Sequence, residues 1–172
     1  MNRKGFTLIE LLAVIILIAL IAVLIVPNII DTMTKSKEAS YQLLVKNIVT
    51  ASKSYYEECE YGDLSDKGKY GAYACEIKID ENDDNNNYYI EITLSDLANT
   101  GFLSVKDVDN ETNEKLVLNP KVVKKDEKNI SGCIIKITKN IDEKYKVTYK
   151  ITPNGGTNCP TETEYESVEK CT

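Results

Sequence analysis

Between Leu11 and Val26 the chain runs through sixteen apolar residues without interruption. Extended back to Phe6, the stretch is 21 residues. As an α-helix it spans about 31 Å, the thickness of a bilayer's hydrocarbon core. Arg3 and Lys4 precede it, and no basic residue follows until Lys35. Cytoplasmic flanks retain positive charge, so this asymmetry places the N-terminus inside and the rest of the chain outside. The rest is polar, rich in Lys, Asn, Asp, Glu and Tyr, and long enough for one domain. The expectation is a membrane-active N-terminus followed by one water-facing body.

A secretory signal peptide would end in a small-residue cleavage site. This run ends Ile25-Val26-Pro27-Asn28 instead. A plain membrane anchor fits the length but leaves Glu10 unexplained. A carboxylate in such a helix costs about 2.5–3.5 kcal/mol at the bilayer centre and less near the interface. The helix dipole favours an anion in the first turns, which compensates only in part.

Lys4-Gly5-Phe6-Thr7-Leu8-Ile9-Glu10 resembles the processing motif of type IV prepilins and of the pseudopilins of type II secretion and competence systems. The resemblance implies cleavage after Gly5 by a membrane-embedded aspartyl peptidase and methylation of the new N-terminus at Phe6. It puts Glu10 where the family carries its characteristic glutamate, and Pro27 where many members carry a helix-kinking proline. Cleavage would expose a cationic amine beside the anionic Glu10. Pairing two charges in an apolar setting offsets much of the cost of burying them. A pair formed between neighbouring copies would favour only one stagger, making Glu10 a register pin. The alternative is a Glu10 that bonds only its own N-terminus. Pro27 removes one helical hydrogen bond and is expected to kink or loosen the helix.

Residues 28–58 contain no Gly or Pro. Met33, Lys37, Tyr41, Leu44, Ile48, Ala51 and Tyr55 recur at three- and four-residue spacing, one face of a helix. The expected division is a leader at 1–5, a transmembrane and polymerisation helix at 6–27, an amphipathic continuation at 28–58 and an extracytoplasmic β-rich body at 59–172. In the body, Ala74–Ile79, Tyr88–Ile92, Cys133–Thr138 and Tyr145–Ile151 read as strands. Tyr145, Val147, Tyr149 and Ile151 share one face of the last strand. Thr93–Gly101 reads as a short helix, capped by Thr93 and Asp96 and stopped by Gly101. With Asn119-Pro120, this stretch resembles a pattern of pseudopilins and Gram-positive pilin-like proteins. A long helix followed by an antiparallel sheet gives an α+β, pilin-like fold. The tail from Pro153 reads as loop.

Five cysteines stand at 59, 75, 133, 159 and 171, without the close pairs of zinc sites and without any His. An outward-facing body permits disulfides. The resemblance implies a C-terminal loop closed by Cys159 and Cys171. Cys59 and Cys75 are candidates to tie the helix end to the first strand, which leaves Cys133 over. The sequence leaves the pairing open.

Asp80, Asn82, Asp84 and Asn86, with Glu91 twelfth from Asp80, space oxygen ligands as a calcium loop does. The sixth place is Asn85 rather than Gly, and the flanks read as strands, so a solvated turn is the favoured reading. Asp107, Asp109, Glu111 and Asn113 form a weaker candidate. No cofactor is expected.

The formal net charge is −6, near −8 once Arg3 and Lys4 are set aside. An acidic body disfavours direct nucleic-acid binding. Without His, a phosphate loop or a nucleophile beside a base, nothing supports catalysis. The expected partners are a prepilin peptidase, copies of the same chain and other pilins, a membrane assembly platform and lipid. The destination would be a surface pilus, a secretion filament or a DNA-uptake filament. The rival reading is a membrane-anchored binding module that never polymerises.

Overall fold

The computed structural model describes residues 7–61, 75–79, 87–124, 127–141 and 147–169. Within these, the side chains of Leu24, Val26, Pro27, Asn28, Ile141 and residues 167–169 are not described. The chain divides into two compact units, Met1–Ala39 and Ser40–Thr172. Helix α1, Leu8–Tyr61, contributes to both.

In the first unit every described side chain of α1 is exposed, and those described from Leu11 to Ile25 are all apolar. Leu8, Leu12, Ile16, Leu20 and Val23 all face solvent. The exposed apolar surface continues through Ile29, Ile30 and Met33.

The second unit is α+β. A four-stranded antiparallel sheet has the order β1-β2-β5-β6, from β1 (Lys78–Ile79), β2 (Tyr88–Thr93), β5 (Ile134–Ile141) and β6 (Val147–Gly155). Between β2 and β5 lie helix α2 (Leu94–Asn99) and a small hairpin of β3 (Asp107–Val108) and β4 (Lys115–Leu116). Helix α3 (Glu162–Glu169) follows β6.

Alternation decides which sheet face is covered. Ile90 and Ile92 of β2, Ile135 and Ile137 of β5, and Ile151 of β6 are buried. Ile90 pairs with Ile137, and Ile137 with Ile151, in one cross-strand row. Tyr89, Lys136 and Lys150 point to the other face, where the Lys136 ammonium sits 4.1 Å from the centre of the Tyr89 ring. The covering layer is the second unit's part of α1, which buries Tyr41, Val45, Ile48, Val49, Ser52, Tyr55, Tyr56 and Cys59. Tyr55 meets Phe102 edge-on at 5.5 Å, and Tyr56 lies 5.4 Å from Tyr149.

The apolar stripe therefore begins at Tyr41. Met33 and Lys37, expected on the same face, are exposed. Val45, Val49, Tyr56 and Cys59 broaden the stripe to the width a sheet-covering helix needs. The helix also continues past Glu58 to Tyr61.

Helix α2 forms as its end signals require. Thr93 Oγ1 accepts a bond from Asp96 N at 3.0 Å and donates to Asp96 Oδ2 at 2.7 Å. Gly101, at φ +92°, ends the turn by donating to Ala98 O at 3.1 Å. The tail is not all loop. β6 runs to Gly155, and α3 starts after Thr161, whose N and Oγ1 both donate to Glu164 Oε2, at 2.8 and 3.1 Å. This is a capping box in the Thr-x-x-Glu spacing.

Candidate assembly site

Thr7 and Glu10 close the start of α1 in the same way. Thr7 N and Oγ1 donate to Glu10 Oε2 at 2.9 and 2.8 Å, and Glu10 N reaches back to Thr7 Oγ1 at 3.4 Å. Both bonds to the carboxylate fall on Oε2, which leaves Oε1 without a partner among the described residues. Gly5 and Phe6, the expected cleavage and methylation positions, lie outside the described residues. Pro27 falls within α1, which continues through it. Among the described residues no helix is long and apolar enough to cross a membrane. The apolar run of the sequence extends beyond Val23 through Leu24 and Val26, whose side chains are not described.

Two disulfides tie the second unit. Cys59 at the end of α1 is bonded to Cys75, just before β1, with Cα atoms 5.9 Å apart. Cys133, immediately before β5, is bonded to Cys159, also at 5.9 Å between Cα atoms. The expected partner of Cys159 was Cys171, and Cys133 was expected to remain over. The correction follows from the sheet register. Ile134 faces Gly155 at the end of the β5–β6 ladder, so the chain leaving β6 passes Cys133. Gly155 and Gly156, both at positive φ, turn it there. A Cβ on Gly156 would lie 2.6 Å from Cys159 Sγ and 3.0 Å from Cys133 Cα, so only glycine fits. Asn119 holds the same loop, donating to Asn158 O at 3.1 Å. Cys171 lies outside the described residues.

Helix α3 is pinned to α1 by a polar cluster that the sequence reading missed. Tyr41 OH donates to Glu164 Oε2 at 2.8 Å, and Lys121 stands 3.5 Å from Glu164 Oε1 and 3.9 Å from the Tyr41 ring centre. Burial works to raise the Glu164 pKa. The Thr161 backbone bond, the Tyr41 hydroxyl and Lys121 outweigh it, and the net shift is downward. Thr161-x-x-Glu164 was the signal that could have revealed this helix.

Of the calcium candidates, Asp80, Asn82 and Asp84 lie outside the described residues. Glu91 is engaged by Lys78 at 3.2 Å and by Asn154. Asp109 accepts from Glu111 N and Thr112 N at 2.8 and 2.9 Å, an Asx turn closing the β3–β4 hairpin. Among the described residues no group of three acidic or cysteine side chains is placed to hold a metal.

A cleft of about 640 Å³ opens beside the end of α1. Glu57, Tyr61, Phe102, Lys139 and Tyr149 line it. Lys139 is taken by Glu60, whose two oxygens accept at 2.7 and 2.6 Å. Tyr149 OH donates to Glu57 at 3.3 Å, and burial followed by the Glu57 charge raises the Tyr149 pKa.

Residues 1–26 match the family described as the prokaryotic N-terminal methylation motif. The type IV major pilin protein PilA of Myxococcus xanthus (strain DK1622) is 35% identical over 76 residues. That stretch covers 44% of this chain and 31% of the relative's length. The chain is similar to type IV pilins. No solved structure matches it. The fold itself is pilin-like, a long N-terminal helix whose second-unit part covers an antiparallel sheet. The matched motif includes Thr7 and Glu10, the two residues of the α1 capping box.

Proposed function

We propose that this chain is a structural subunit, cleaved after Gly5, methylated at Phe6 and assembled through α1 into a type IV pilus-like filament. The observation that carries the reading is the N-terminal methylation motif at residues 1–26, which runs into the part of α1 whose described apolar side chains are exposed. Contiguous apolar surface on this scale is unstable in water and calls for lipid or protein partners. In the precursor the partner is the bilayer, with the second unit outside. In the filament it is the same segment of neighbouring copies.

Glu10 gives the transfer its register. Its Oε2 is held by Thr7, which leaves Oε1 to receive a cation. The amine freed at Phe6 is the cation produced by processing. Alone in an apolar core each charge costs several kcal/mol, and a close pair offsets most of it. A neighbour whose Phe6 amine reaches this carboxylate is therefore bound in one stagger only. A prepilin peptidase and a membrane assembly platform are the partners this sequence of events needs. The second unit, tied by two disulfides, is suited to an oxidising exterior. The acidic body argues against its being a DNA-contacting subunit.

The test is filament yield from Glu10→Ala beside Glu10→Asp and wild type, by shearing cells and measuring subunit in the released fraction. The expected result is loss of filaments in the alanine variant with unchanged subunit in the membrane. Wild-type yield from Glu10→Ala would contradict the register role. A wild-type subunit found only in membranes would favour the anchored binding module instead.

A further inference from the structure

The last turns of α1 run against a rule of helix electrostatics. A helix C-terminus carries partial negative charge and favours cations. Here Glu57, Glu58 and Glu60 stand close to the C-terminus at Tyr61, and the last turn has no basic residue. Lys139 answers Glu60. Glu57 has only the Tyr149 hydroxyl and no cationic partner among the described residues. Its carboxylate lines the cleft with the rings of Tyr61, Tyr149 and Phe102. Aromatic faces attract an ammonium within about 6 Å. Among the described residues the chain already makes that contact with its own lysines, at 3.9 Å on Tyr41, at 4.1 Å on Tyr89 and, at the cleft itself, with Lys139 at 5.4 Å on Tyr61. Lys139, which also lines the cleft, is taken by Glu60 and Tyr61, so the Glu57 carboxylate, the helix C-terminus and the rings of Tyr149 and Phe102 are what select a further cation.

Lys46 supplies one. It is exposed on α1, and its ammonium has no partner among the described residues. It precedes Glu57 by about three helical turns, so both lie on nearly the same helix face, ~16 Å apart along the axis. Two copies in register put Lys46 beside Lys46 and Glu57 beside Glu57. Two copies displaced by about three turns put Lys46 beside Glu57. We infer that in the filament the Glu57 cleft of one copy takes the Lys46 ammonium of a second copy. The inference rests on the filament reading and adds to it a contact between a different pair of neighbours, in the water-facing part of the helix: Phe6–Glu10 pairing displaces two copies by about one helical turn, Lys46–Glu57 pairing by about three. Repulsion between copies in register works with the attraction to select the displaced arrangement.

The test uses purified wild-type filaments and a zero-length carbodiimide that joins carboxylates to amines. Within one helix Lys46 and Glu57 are too far apart for such a link, so a Lys46–Glu57 cross-linked peptide joins two copies. That peptide is the expected result, and its absence from the cross-link map overturns the inference. Charge reversal provides an independent measure. Lys46→Glu and Glu57→Lys are each expected to lower sheared-filament yield about tenfold, and the double exchange to restore most of it. A double exchange no better than the single variants also overturns it. If wild type yields no filaments, the filament reading fails and this inference falls with it. Filaments without the Lys46–Glu57 link refute the inference alone.

Discussion

Ile16 and Ile137 are the same residue type in opposite surroundings. Ile16, in the first unit, is 52% exposed, and Ile137, in the sheet, is 0% exposed. The contrast holds across each unit. Leu8, Leu11, Leu17 and Leu20 face outward, whereas Leu94, Leu97 and Leu103 are enclosed. The second unit satisfies its apolar side chains within the chain, through α1, one sheet face and two disulfides. Among its described residues the first unit encloses none of its apolar side chains, and on the proposed reading that free energy is recovered from lipid or from other copies. On that reading stability and assembly are separable, one carried mainly by residues 40–172 and the other mainly by residues 1–39.

The separation is broken most severely by core truncation. Ile137→Ala is expected to destabilise the second unit by about 2–5 kcal/mol. Ile16→Ala should leave its unfolding unchanged within about 0.5 kcal/mol. Chemical denaturation of the full chain in detergent, read by near-ultraviolet circular dichroism, compares the two. Equal losses would show that the units are not separable.

Removing the Cys133–Cys159 cross-link with paired serines is expected to cost about 3–4 kcal/mol for a loop of that size. Gly156→Ala should weaken the same corner by about 1–3 kcal/mol, since the new methyl meets Cys159 Sγ and Cys133 Cα. Free-thiol labelling of the folded protein should rise in Gly156→Ala and stay at baseline in Gly101→Ala. Gly101 also has positive φ, but a Cβ there meets nothing within 4 Å. Equal labelling would refute the steric account.

The smallest effect is the pH dependence of the α3 clasp. The folded Glu164 pKa is depressed below 4.5, so its contribution is present above that value and is lost as pH falls through the depressed folded pKa. Acid titration of α3 amide exchange should show earlier loosening than in the rest of the unit. Glu164→Gln should flatten that difference. An α3 that loosens identically in both would show that the carboxylate plays no part.

Local signals carried far in this chain. The period of α1, the alternation in β6 and the Thr93–Asp96 cap were each legible, because each depends on neighbours a few residues apart. Contacts set by distant returns of the chain were not. Cys133 meets Cys159 only because Gly155 faces Ile134 in the ladder, and no spacing rule encodes that approach. The clasp on Tyr41 joins residues 123 positions apart. Met33 continues the apolar period but belongs to the first unit and is exposed, so pattern alone overextended the core. At the N-terminus, Glu10 was legible as an anomaly in an apolar run. Its bonds to Thr7 were not read, although Thr7-x-x-Glu10 is a capping-box spacing in its own right.

The most direct test of the account is the intact mass of the subunit from sheared surface filaments, measured beside the membrane fraction. The account predicts a filament subunit lacking residues 1–5, with one methyl added at Phe6, beside a longer precursor in the membrane. A full-length chain confined to the membrane would contradict it.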